Sequence, residues 1–169
     1  MPALSSASLV VLAAGTLTAT IIDLRTRRIP NELTAAMTGV GIALAATGVS
    51  GISAPAAFGG FFLGLVLMMP GYALGATGAG DVKLMAAIGA IIGPALVITA
   101  FLFTAIAGGV LALVVATRRG RVGATLAGTG RLISTPGGAR QEIRTKTAVH
   151  RFAYGPAIAI GSLLAAIAG

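Results

Sequence analysis

Gly78-Ala-Gly-Asp-Val-Lys-Leu-Met-Ala-Ala-Ile-Gly-Ala-Ile-Ile-Gly-Pro-Ala95, continued by a mostly apolar run to Ala116, is the stretch on which the architecture turns. A helix rises about 1.5 Å per residue, so roughly 20 residues cross the ~30 Å hydrocarbon core of a bilayer. The stretch is therefore either one over-long helix kinked at Gly93-Pro94 or two spans that turn there. The charges choose between them. With one crossing, the segment 117–151, which holds eight of the twelve Lys and Arg residues, lies opposite Arg25, Arg27, Arg28 and Lys83. With two crossings all twelve lie on one side, the asymmetry that basic residues impose on membrane topology.

Outward from that stretch the chain divides into six apolar segments, residues 4–22, 33–49, 56–74, 82–92, 95–116 and 152–168. Each is expected to be a helix, because in hydrocarbon every backbone N–H and C=O must be satisfied within the segment. The barrel alternative needs short strands of alternating polarity, which are absent. The expected fold is all-α: one membrane-embedded domain over residues 1–169, with about six transmembrane helices and both termini outside. Hydrophobic residues at 56% and charged ones at only 9% agree with a bilayer protein. Residues 1–8 carry no Lys or Arg, so the first segment is expected to remain as a span rather than be cleaved as a signal.

The net charge of +8 invites a nucleic-acid reading, but the basic residues sit between apolar runs instead of forming one face, and no nucleic-acid partner is expected. There is no cysteine and a single histidine, His150, so neither a thiolate nor a histidine-built metal site is expected, and no cofactor. Gly59-Gly60, Gly64 and Gly108-Gly109 suit close helix approach in lipid. In the 117–151 segment, Val122, Leu126 and Ile133 form a weak stripe compatible with an interfacial helix, although a solvated basic loop whose Arg118, Arg119 and Arg121 touch anionic headgroups accounts for it as well.

Only four carboxylates exist: Asp23, Glu32, Asp81 and Glu142. Asp23 closes the first segment in Thr20-Ile-Ile-Asp-Leu-Arg-Thr-Arg-Arg-Ile-Pro-Asn31, and Asp81 opens the fourth; charge parity puts both at the cytoplasmic edge of the membrane. Two carboxyls at one depth are what an aspartic protease needs, one to activate water as a base and one, protonated, to polarise the scissile carbonyl. Held close, the two cannot both ionise, so they share a proton. Gly78 and Gly80 fit the same use by freeing the backbone beside Asp81 for unusual dihedrals and close approach of a substrate strand. Taken singly, Asp81 is also readable as a plain N-cap and Asp23 as an interfacial charge balanced by Arg25 or Arg27. A cation transporter or channel is a further alternative, but it calls for carboxylates at mid-span, where there are none.

The segment 23–31, an aspartate followed by a basic, proline and asparagine turn, resembles the first aspartate motif of the type IV prepilin peptidases. Gly78-Ala-Gly-Asp-Val-Lys-Leu84 resembles their second, the GxGD signature. Phe152-Ala-Tyr-Gly-Pro-Ala-Ile-Ala-Ile-Gly161 is similar to the glycine and proline entrance to their last helix. The resemblance implies an intramembrane aspartic endopeptidase of a prokaryotic cytoplasmic membrane that removes the leader of prepilin-like substrates. Such substrates are pilin, Flp-type or preflagellin precursors with a basic leader and an apolar helix. Asp23 and Asp81 inherit the catalytic roles; Gly78, Gly80, Lys83, Pro30 and Asn31 inherit supporting ones, Lys83 being equally readable as a snorkelling lysine at a helix start. Gly71 and Gly75 join Gly78 and Gly80 where a flexible gate would lie. Larger members carry paired CxxC motifs and a methyltransferase activity, neither of which is expected here. An inactive family member serving as a pilus-assembly scaffold is the remaining alternative.

Overall fold

The computed structural model describes residues 4–118 and 154–169, all of whose regular structure is helical. Five helices follow in order: α1 (Ser6–Thr26), α2 (Asn31–Ala46), α3 (Ala54–Ala73), α4 (Ala79–Arg118) and α5 (Gly155–Ala168). Most of the 117–151 segment, with its Val122, Leu126 and Ile133 stripe, His150, and the Phe152 start of the sixth apolar segment all lie outside the described residues. The expected all-helical membrane bundle is the architecture found. By length and composition α1 and α3 can each cross a membrane, as can residues Ala79–Val114 of α4 when its two arms are counted together. With 16 and 14 residues, α2 and α5 rise only about 24 and 21 Å, short of the ~30 Å hydrocarbon core.

α4 is not one rod. Gly93 has φ 79° and ψ 176°, a conformation essentially reserved for glycine, and Pro94 further excludes its predecessor from helical geometry. Contacts on either side of this break show that the chain reverses. Along the first arm, Gly64 lies against Met85 and Ala86, Gly60 against Gly89, and Gly93 against Ile52, so this arm is antiparallel to α3. Along the second, Leu96 meets Gly169, Thr104 meets Gly161, and Gly108 meets Tyr154, so that arm is antiparallel to α5.

The two ends of the bundle differ in chemistry. At one, the Ser5 N–H and the Ser8 hydroxyl both donate to the Ser50 carbonyl, at 3.2 and 3.3 Å. At the other, the end of α1 meets the starts of α2, α4 and α5. The first arm of α4 forms the centre: after Asp81, every residue from Val82 to Gly93 is buried except Lys83. Small residues on it, Ala86, Ala87, Gly89 and Ala90, let neighbouring helices close in around this arm. Its neighbours reach it over glycine. A β-carbon on Gly60 or on Gly89 would overlap the other's carbonyl oxygen, and one on Gly64 would lie 2.6 Å from the Met85 carbonyl. Small residues let the backbones pack this tightly where lipid supplies no hydrophobic drive between helices.

Candidate active site

Asp23 lies in the last turn of α1, which runs past it to Thr26 and ends on Arg27 in the left-handed region (φ 53°), whose N–H donates to the Asp23 carbonyl at 2.8 Å. The carboxyl turns inward and the residue is only 5% exposed. Its Oδ2 accepts the Gly155 N–H at 2.9 Å, across 132 positions of sequence. Gly155 opens α5, and the first N–H groups of a helix have no partner within it. A carboxylate from α1 thus caps the last helix. Glycine is needed there, since a β-carbon would sit 2.9 Å from that same Oδ2.

Asp81 is the third residue of α4 and is 8% exposed. Its Oδ2 accepts the Gly78 N–H at 2.8 Å, the backward half of a capping box. Asp81 is thus not the N-cap of α4 but stands inside its first turn, with Gly78 in the cap position, and capping alone does not account for the site. A cap is worth about 1 kcal/mol and works well at an exposed helix end. Removing a carboxylate from water costs several kcal/mol. Two buried carboxylates at one end of a bundle are more than two caps require.

Gly155 holds Asp23 through a hydrogen bond, and Tyr154, just before it, lies close enough to Asp81 to feel its charge. The hydroxyl end of the Tyr154 ring rests on Gly108, where a β-carbon would come within 2.7 Å of it. Gly80 lies against Ile29 of the α1–α2 turn, a β-carbon there being 3.0 Å from that of Ile29. These contacts bring α1, both arms of α4 and α5 together around the pair.

The other residues singled out from sequence sit at the rim or serve the backbone. Lys83 Nζ donates to Asn31 Oδ1 at 2.7 Å on the exposed side, which ties the start of α2 to α4. Pro30 is the N-cap residue of α2 with φ −63°; it makes no side-chain cap and directs the chain from Ile29 into the helix. The unusual dihedrals expected at Gly78 and Gly80 are not found: positive φ occurs at Gly48, Gly51, Gly75 and Gly93. Gly78 and Gly80 are needed for space instead, next to Asp81 Oδ2 and Ile29 respectively. Gly75 ends α3 in a Schellman turn, the Ala76 and Gly75 N–H groups donating to Gly71 and Tyr72 carbonyls. Glu32 is exposed in the first turn of α2.

Sequence reasoning missed Gly155 and Tyr154 as partners of the aspartates. Tyr154-Gly155-Pro156 stood out only as the entrance to a helix, and nothing in it shows which carboxylate its amide will meet.

The family model of the type IV leader peptidases matches residues 10–113, a stretch that includes both aspartates. The chain belongs to the type IV leader peptidase family. No curated protein and no solved structure matches it. As a leader peptidase it has prepilin-like proteins as its implied substrates. Tyr154 and Gly155 lie beyond the matched residues.

Proposed function

We propose that this leader peptidase is an aspartic endopeptidase in which Asp23 and Asp81 hold the attacking water, and that it crosses the cytoplasmic membrane six times with the pair facing the cytoplasm. The observation that carries the reading is the burial of these two carboxylates at one end of the bundle in a chain of this family. Of the three acidic residues described, Glu32 alone is exposed.

In the proposed reaction the ionised member of the pair takes a proton from water as the oxygen attacks the scissile carbonyl carbon. The protonated member donates to the carbonyl oxygen, giving a neutral tetrahedral diol. Collapse of the diol breaks the C–N bond, with one proton passing to the departing amine and the pair returning to its shared-proton state. The backbone N–H groups of Gly155 and Gly78 aim the carboxylates without taking up either proton. The short α5 and α2 support a site set at the membrane edge, since a helix that stops short of the full hydrocarbon thickness leaves room for water at its end.

The substrate class we infer is a prepilin-like protein, whose basic leader lies in the cytoplasm and whose apolar helix docks beside the spans. No methyl transfer is assigned, because the paired cysteine motifs of larger members have no counterpart in these 169 residues.

The test is cleavage of a prepilin-like substrate in membranes or proteoliposomes. Asp23→Asn and Asp81→Asn are each expected to lower the rate by at least about 10²- to 10⁴-fold, the range for loss of a general acid or base. Full activity in either variant rejects the pair.

A further inference from the structure

Two features at the start of α5 are not used by the reaction itself. The Gly155 amide is committed to Asp23 Oδ2 at 2.9 Å. The Tyr154 ring is seated on the second arm of α4 at Gly108, a glycine buried with no room for a side chain. A half-buried phenol at a membrane edge ordinarily turns its hydroxyl to the headgroup region. Here the hydroxyl end lies over Gly108, on the side of the bundle where Asp81 begins α4.

We propose that Tyr154 and Gly155 are positioning residues that set the Asp23–Asp81 separation, the amide gripping Asp23 while the ring, held by Gly108, keeps the tip of the last helix beside Asp81. The proposal rests on the aspartic-peptidase reading but concerns residues outside the matched part of the chain. The mechanical logic is specific. Asp23 and Asp81 stand on helices that share little direct packing, so their spacing has to be imposed by a third element. α5 does this because consecutive residues of a helix start move as one body: displacing the ring drags the amide.

Asp81 lies close enough to Tyr154 for its charge to bear on the phenol. This supplies a readout that does not depend on catalysis. The chain has only two tyrosines, and the other, Tyr72, is exposed on α3. In a Tyr72→Phe background, 3-fluorotyrosine labels Tyr154 alone.

The experiment has two arms on the full chain in detergent or lipid. In the first, the ¹⁹F resonance of Tyr154 is recorded with Asp81→Asn and, as a control, with the exposed Glu32→Gln. A clear shift with Asp81→Asn and none with Glu32→Gln supports the clamp; equal responses overturn it. In the second, cleavage kinetics are compared for Tyr154→Phe and Gly108→Ala. The first keeps the ring and removes the hydroxyl, and the second keeps the hydroxyl and displaces the ring. Gly108→Ala is expected to lower kcat roughly 10- to 100-fold, as for an ångström-scale misplacement of reacting groups, with KM within about twofold. Tyr154→Phe, which retains the seat, is expected to keep kcat within about threefold of the parent, whereas Tyr154→Ala is expected to lose about as much as Gly108→Ala. A kcat for Gly108→Ala and Tyr154→Ala equal to that of the parent overturns the proposal. If instead the parent cleaves nothing, or Asp81→Asn remains active, the peptidase reading fails, and the fluorine arm still decides whether the helix tip senses Asp81.

Discussion

A carboxylate at a membrane edge needs partners, and the identity of those partners separates a working pair from two incidental charges. Asp23 takes the Gly155 amide and Asp81 the Gly78 amide, each through one oxygen. Hydrogen bonds to an ionised group are worth about 1.5–3 kcal/mol, which offsets part of the desolvation cost. Gly155→Ala puts a β-carbon 2.9 Å from Asp23 Oδ2 and 3.1 Å from its Cβ, so the carboxyl must swing aside. We expect this substitution to cut leader cleavage by roughly 10- to 100-fold, measured as initial rates in proteoliposomes, while the protein still purifies as a folded species. Undiminished rates would show that Asp23 tolerates the displacement. Asp23 and Asp81 stood out in the sequence because acidic side chains are scarce in so apolar a chain. The amide of Gly155 did not, since every residue but proline carries one and only the packing of α5 aims it.

At the scale of elements, glycine does two different jobs. At Gly93 the backbone conformation demands it, and the Gly93-Pro94 break that the sequence offered as a turn is where α4 reverses. At Gly60 and Gly89 the demand is for space between α3 and the first arm of α4. Gly60→Ala is expected to destabilise the bundle by about 1–3 kcal/mol, as overpacking does. Its neighbour Gly59 faces open space, so Gly59→Ala is expected to be neutral or to stabilise by up to about 1 kcal/mol through helix propensity. Denaturant titration of the purified protein in mixed micelles distinguishes the two; equal effects would contradict the close seam. The sequence flagged Gly59-Gly60 as a pair without telling which member faces a neighbour, because the helix phase is set by the partner. Element ends were also only partly readable. The apolar run stops at Ile22, yet α1 continues to Thr26, since helical hydrogen bonding does not end where hydrophobicity does.

For the whole molecule, the contacts sort the chain into an end with Ser5, Ser50, Ile52 and Gly93 and an end with both aspartates. If that axis is the membrane normal, residues exposed at the two ends react from opposite sides. The chain has no cysteine, so Val49→Cys and Ala76→Cys, both at exposed positions, provide single-thiol reporters. An impermeant maleimide is expected to label Ala76→Cys only when the cytoplasmic face is accessible and Val49→Cys only from the outer face. Labelling of both from one side would contradict the six-pass topology. Composition and charge placement by themselves determined that the chain is a helical membrane protein and singled out its few carboxylates. Those are additive properties of residue type: transfer energies sum along a segment, and a carboxylate is a carboxylate in any context. Only the tertiary structure decided that the first arm of α4 sits at the centre, that Gly78 and Gly80 supply space rather than unusual dihedrals, and that the start of α5 grips Asp23. Each depends on which surfaces meet across long separations in sequence, and that choice is made by close packing of the assembled bundle rather than by any segment alone.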